Sequence, residues 1–166
     1  CVDISHQYSI CISASNDKSV IVWDLNKNRY MHSIYLDEPV LLCSINNFSG
    51  DIVCTTRNSI HLYNINGVLI KQKVSHHHAI TSLCFVGDTL AGSAFQKQIL
   101  ILGMSNGQIR VCDAQTLSTI KKIVVKKTLN SPITHIYVSK SSQNHLVTCD
   151  ENGSVITFVA SNKKRM

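Results

Sequence analysis

Proline is nearly absent from this sequence: Pro39 and Pro132 are the only two in 166 residues. Each stands just before an apolar, strand-like run, where a missing backbone N–H costs least. Helical periodicity is absent as well. No stretch approaches the roughly 20 apolar residues that a membrane-spanning helix needs, and no charged-then-apolar leader precedes Cys1. No Gly-x-Ser-x-Gly, His-Glu-x-x-His or phosphate-cradling glycine loop occurs, so no motif assembles a nucleophile, a base and an orienting group. The expectation is a soluble chain that is not an enzyme. It opens at Cys1 inside a strand-like run rather than at a methionine, which reads as a piece of something longer.

Seven cysteines are an odd number, and no two are spaced Cys-x-x-Cys. Cys11, Cys43, Cys54, Cys84 and Cys112 sit among Ile, Leu, Val or Phe, a pattern better explained by small buried thiols in a reducing cytosol than by disulfides. His76, His77 and His78 could suggest a metal. Adjacent imidazoles on an extended chain point to alternate faces, however, and no spaced Cys/His set completes a tetrahedral site. No metal and no cofactor is expected.

The net charge of +6 comes from lysine clusters: Lys71 and Lys73, then Lys121, Lys122, Lys126 and Lys127, then Lys163, Lys164 and Arg165. Basic clusters can steer a chain to nucleic acid or anionic lipid. Solvated lysines that blunt exposed edge strands need no partner at all. Nothing like an aromatic-interleaved stacking strip accompanies them, so nucleic acid is not an expected partner.

Repetition is what the sequence has in quantity. Ser19-Val20-Ile21-Val22-Trp23, Ser59-Ile60-His61-Leu62-Tyr63, Gln108-Ile109-Arg110-Val111-Cys112 and Ser154-Val155-Ile156-Thr157-Phe158 each alternate apolar with variable residues, as a strand with one buried face does. Their last residues recur 40, 49 and 46 positions apart, which suits one four-stranded blade per repeat. A second apolar run precedes each, across turns that include Asn106-Gly107 and Asn152-Gly153, the strongest short hairpin signal. Another run opens every unit (Val2 to Ile4, Val40 to Ile45, Ile80 to Phe85, Ile133 to Val138), and a weaker one closes the first three (Arg29 to Ile34, Val68 to Val74, Leu117 to Val125).

The order is thus a-b-c-d, in units of roughly 1–36, 37–78, 79–130 and 131–166, with the fourth unit ending after strand c. The third unit carries a long a–b connection, about 87–97, for which a surface insertion is the simplest reading. Trp23, Tyr63 and Phe158 are expected between neighbouring sheets.

Ser13-Ala14-Ser15-Asn16-Asp17-Lys18-Ser19, running on to Trp23-Asp24, resembles the WD-repeat consensus, with Lys18 in the place of a glycine. The resemblance implies an all-β WD-repeat β-propeller, about four blades of it, as a fragment of a larger one. It also implies a buried structural network in which Asp17 and a strand-b hydroxyl (Ser13 or Ser15) join Trp23 and a histidine of the preceding d–a loop. Tyr63, Cys112 and Phe158 then stand in the Trp place, Asn106 and Asn152 in the Asp place, and His78 in the d–a loop before the third unit.

A closer resemblance rests on Ile21 to Asn26, Ile45 to Val53, Ile65-Asn66-Gly67, Gly103 to Val111, Ile136 to Lys140 and Glu151 to Val155. These segments resemble the C-terminal WD repeats of BEACH proteins, the beige and neurobeachin group. The absence of a following FYVE-type cysteine set argues against the FYVE-bearing subgroup. What the resemblance implies is a cytoplasmic, non-catalytic scaffold, peripheral on endomembranes, in vesicle traffic, lysosome-related organelles or autophagy, with a BEACH module upstream in the same chain. Partner proteins would dock on the top face and rim. Lys71, Lys73, Lys121, Lys122, Lys126 and Lys127 would form a basic rim able to meet acidic surfaces or anionic membranes. A generic WD-repeat adaptor, or a basic nucleic-acid-associated WD-repeat protein, is the alternative.

Overall fold

The computed structural model describes residues 1–74, 78–86, 98–124, 131–139 and 145–159. Within them the chain forms antiparallel strands only. The first sheet is β1 (Val2–Ser5), β2 (Ile10–Ala14), β3 (Ser19–Asp24) and β4 (Arg29–Tyr35), hydrogen-bonded in that order. The second repeats the plan with β5 (Leu42–Ile45), β6 (Ile52–Thr55), β7 (Ser59–Tyr63) and β8 (Leu69–Val74), and the third with β9 (Ile80–Val86), β10 (Ile99–Met104), β11 (Gln108–Asp113) and β12 (Thr119–Val124). The fourth has three strands among the described residues: β13 (Ile133–Val138), β14 (His145–Asp150) and β15 (Val155–Val159).

Local chemistry sets these hairpins. Gly107 and Gly153 take φ of 77° and 80°, which the turns before β11 and β15 require. In the first unit Lys18 holds φ 72° in the glycine place. There the Asp17 carboxylate pins the turn by accepting the backbone N–H and the hydroxyl of Ser19, at 2.9 and 2.6 Å.

Burial follows the alternation. Val20 and Val22 of β3 are fully buried and pack with Ile12, Ile45, Ile52 and Tyr63 between the first and second sheets. Val53, Ile60 and Leu62 pack with Leu100, Leu102 and Met104 between the second and third, while Ile101 and Ile109 meet Ile133, Ile136 and Phe158 between the third and fourth. Strands β6 and β7 are buried on both faces because a sheet lies on either side of them. Innermost strands β1, β5, β9 and β13 line one shared cavity of about 660 Å³. At the other extreme β8 is exposed along its whole length, as an outermost strand is. Sheets stacked in series around a central cavity are blades of a propeller.

Trp23 corrects one expectation. It does not lie between sheets: it is 37% exposed. The physical reason is parity. Val20 and Val22 point toward the second sheet, so Trp23 takes the opposite face with its cross-strand partner Cys11 and, beyond that, Ile4. Tyr63 does lie between the first and second sheets, at 7% exposure, and Phe158 is half-buried against the third.

Candidate functional site

In the first blade the Trp23 Nε1–H donates to Ser13 Oγ at 3.0 Å, and the indole meets Tyr30 edge-on with centroids 6.3 Å apart. Asp17 turns instead to Ser19, whose side-chain and backbone bonds hold its carboxyl below the usual aspartate value. Ser15 Oγ accepts the Asp17 N–H at 3.2 Å. The network that the WD resemblance implies is therefore divided here into a Trp23–Ser13 pair and an Asp17–Ser15–Ser19 turn. Asp24 Oδ1 closes the next turn by accepting the N–H groups of Asn26 and Lys27.

The second blade carries a network that sequence reasoning missed. Thr56, Ser59 and His61 form a buried chain, with Ser59 Oγ 2.8 Å from Thr56 Oγ1 and 2.6 Å from His61 Nε2. The His61 ring stacks on Tyr63 with centroids 6.1 Å apart. Burial lowers the His61 pKa, and the nearby Asp37 and Glu38 carboxylates oppose that shift. The available signal was parity: residues 61 and 63 share one face of a strand.

In the third blade Asn106 Oδ1 accepts the Gln108 N–H at 3.2 Å and Cys112 is buried in the Trp place. Asn152 and His78 are exposed. Burial pushes the Cys43 and Cys54 thiols up to about 12, so both stay protonated. Cys43 Sγ lies 3.0 Å from Sγ of the exposed Cys1, joining the innermost strands of the first two blades.

Lys71, Lys73, Lys121 and Lys122 are exposed on the outermost strands β8 and β12. Lys73 also bridges two blades, because its Nζ donates to the Leu117 carbonyl at 3.0 Å. Lys126, Lys127, His76, His77 and the connection 87–97 lie outside the described residues. Among the described residues no group of three or more His, Cys, Asp or Glu side chains is placed to hold a metal ion. What the arrangement offers chemically is surface: outer-strand cations, and apolar seams between blades.

Serial antiparallel blades around a common cavity, three of them four-stranded, with the Ser13–Trp23 bond and the Asp17 turn, define a WD-repeat β-propeller segment. Among solved structures, the β-propeller domain of Cps50 (Swd1) from Myceliophteria thermophila superposes with a TM-score of 0.74 at 18% identity, over 99% of this chain and 53% of that one. The computationally designed Ika4 protein superposes with a TM-score of 0.70 at 20% identity, over 96% of this chain and 89% of that one. No family model matches the chain.

Among curated proteins, the lysosomal-trafficking regulator of Homo sapiens is 30% identical over 165 residues, which span 96% of this chain and 4% of that protein. Beige protein homolog 1 of Schizosaccharomyces pombe is 26% identical over 87% of this chain and 6% of its own length. BEACH domain-containing protein A2 of Arabidopsis thaliana is 31% identical over 67% of this chain and 3% of its own. The chain thus spans only a small fraction of the length of the relatives it matches. It belongs to the BEACH-domain family, the beige and neurobeachin-like proteins, and fits their C-terminal WD-repeat region.

Proposed function

We propose that these blades are a non-catalytic protein-docking platform within a BEACH-type scaffold that acts in membrane trafficking, at lysosome-related organelles or in autophagy. The observation that carries this reading is the 30% identity to the lysosomal-trafficking regulator along 96% of the chain. The construction of the blades supports it. The Thr56 and Ser59 hydroxyls, His61 and the Asp17 carboxylate are engaged in turns and side-chain bonds, which rigidify a frame rather than prepare a reacting group. Rigid blades present loops and outer strands in fixed positions, where partner proteins and the BEACH module of the same polypeptide dock. The setting is the cytoplasmic side of endomembranes.

The test is deletion of the segment encoding residues 1–166 in the organism's own gene, with lysosome size and position scored by microscopy. Enlarged or mislocalised organelles are the expected result. Organelles that keep their wild-type appearance, with the shortened protein at normal abundance, overturn the reading.

A further inference from the structure

The seam between the second and third blades gathers positive charge over an apolar floor. Cross-strand partners in a sheet point to the same face. Lys71 and Lys73 on β8 pair with Leu62 and Ile60, and Arg110 on β11 pairs with Leu102. Leu62, Ile60 and Leu102 all belong to the cluster that joins these two blades, so the three cations lie on the faces that meet there. Lys122 on β12 is the other cross-strand partner of Arg110.

Three further observations converge on this seam. Lys73 and Arg110 border one small cavity of about 30 Å³, floored by Ile60, Leu102, Met104 and Leu117. Arg110 Nε is buried and meets no acceptor among the described residues. Native proteins satisfy nearly all buried donors, and a guanidinium left with one unused is a site for an external acceptor. Leu117, whose carbonyl accepts a hydrogen bond from the Lys73 ammonium, holds φ 55° although it is a bulky buried residue. That conformation is sparsely populated for such a side chain and fixes the carbonyl where Lys73 meets it. Among the described residues that carbonyl is the ammonium's one hydrogen-bond acceptor, which leaves its other donors for a ligand. Burial pushes the Cys112 thiol up; its hydrogen bond to Thr119 and then the Lys73 and Arg110 charges pull it down, and the Asp113 carboxylate opposes them.

We infer that this seam is a docking site for an acidic peptide segment of a partner protein: one carboxylate takes the Arg110 guanidinium and the Lys71 and Lys73 ammonium groups, while a small apolar side chain enters the cavity. A peptide fits better than a bilayer surface, because Lys73 and Arg110 come from two different blades and border one narrow cavity between them instead of covering a flat face. The inference deepens the docking reading above and rests on it.

The probe is a fluorescein-labelled peptide of alternating Glu and Leu or Val, titrated against the whole chain and followed by anisotropy. Its Glu→Gln counterpart and vesicles of phosphatidylserine and phosphatidylcholine serve as comparisons. Expected are binding that weakens with added salt, and a loss of about tenfold in affinity on Arg110→Gln or Lys71→Gln, as removal of a charge-assisted bond gives. Arg29→Gln on β4 of the first blade leaves affinity unchanged. Lys71→Gln alters an exposed side chain, so it keeps the test decisive if Arg110→Gln melts early by circular dichroism. Equal binding of the glutamine peptide overturns the inference, as does wild-type affinity in the Lys71 variant. Vesicle retention that falls with the same substitutions, with no peptide binding, overturns it in favour of a membrane contact. None of these outcomes bears on the gene-deletion test, so the two readings fail separately.

Discussion

Gly103 lies so close to Ile133 that a Cβ on the glycine would stand 2.8 Å from both Cβ and Cγ2 of the isoleucine. The contact joins β10 of the third blade to β13 of the fourth. Beside it, the hydroxyls of Thr81 and Ser82 both donate to the Ile133 carbonyl at 2.8 Å. An acceptor shared by two hydroxyls and a missing side chain together let the two blades approach. Because Ile133 is fully buried, its side chain has nowhere to retreat. Gly103→Ala is therefore expected to lower stability by about 1–3 kcal/mol, the usual cost of overpacking. Urea unfolding measures it, and an unchanged midpoint counts against the contact.

Leu62 and Trp23 should behave in opposite order to their size. Leu62 is 1% exposed, in the seam between the second and third blades. Leu62→Ala should cost about 2–5 kcal/mol, since it removes buried methyl groups and leaves a cavity. Trp23, on the open face of the first blade, should cost less on conversion to Ala despite its larger ring. Paired thermal melts decide the ranking.

Buried His61 gives stability a pH dependence of known sign. Its folded pKa lies below the ordinary value of 6.5, so the unfolded chain binds the proton first. Stability is complete above the unfolded value and falls as the pH drops through it toward the lower folded one. Urea midpoints should decline between about pH 7.5 and pH 5.5, and His61→Gln should flatten that decline. Parallel slopes for the two proteins would show that other groups dominate.

The first and fourth blades each present an apolar outer face. On the first, Val2, Ile4 and Tyr35 are 65%, 44% and 77% exposed; on the fourth, Tyr137, Val155 and Val159 are 57%, 66% and 63% exposed. Rows of this kind favour association. The isolated 166-residue chain should scatter light increasingly with concentration. Val155→Thr with Val159→Thr should reduce that scattering, and analytical ultracentrifugation that finds a monomer throughout would contradict it.

Strands, their order and their turns were legible in the sequence because they are local. Period-two alternation marks Ser19–Asp24 and Ser59–Tyr63 wherever the chain goes, and Asn106-Gly107 and Asn152-Gly153 specify hairpins by their backbone preferences alone. The family was legible for a related reason: short phrases such as Ile21 to Asn26 are themselves local and carry the resemblance.

Which face of each strand is covered depended on the neighbouring sheet. Alternation says that Val22 and Trp23 point apart; only the packing of the second blade made Val22 the buried one and left the indole at the surface. The cationic seam was hidden for the same reason. Lys73 and Arg110 are far apart in sequence, on strands whose pairing partners are all within their own blades. They border one cavity because stacked sheets bring facing side chains together, and no residue-by-residue rule encodes which ones those will be.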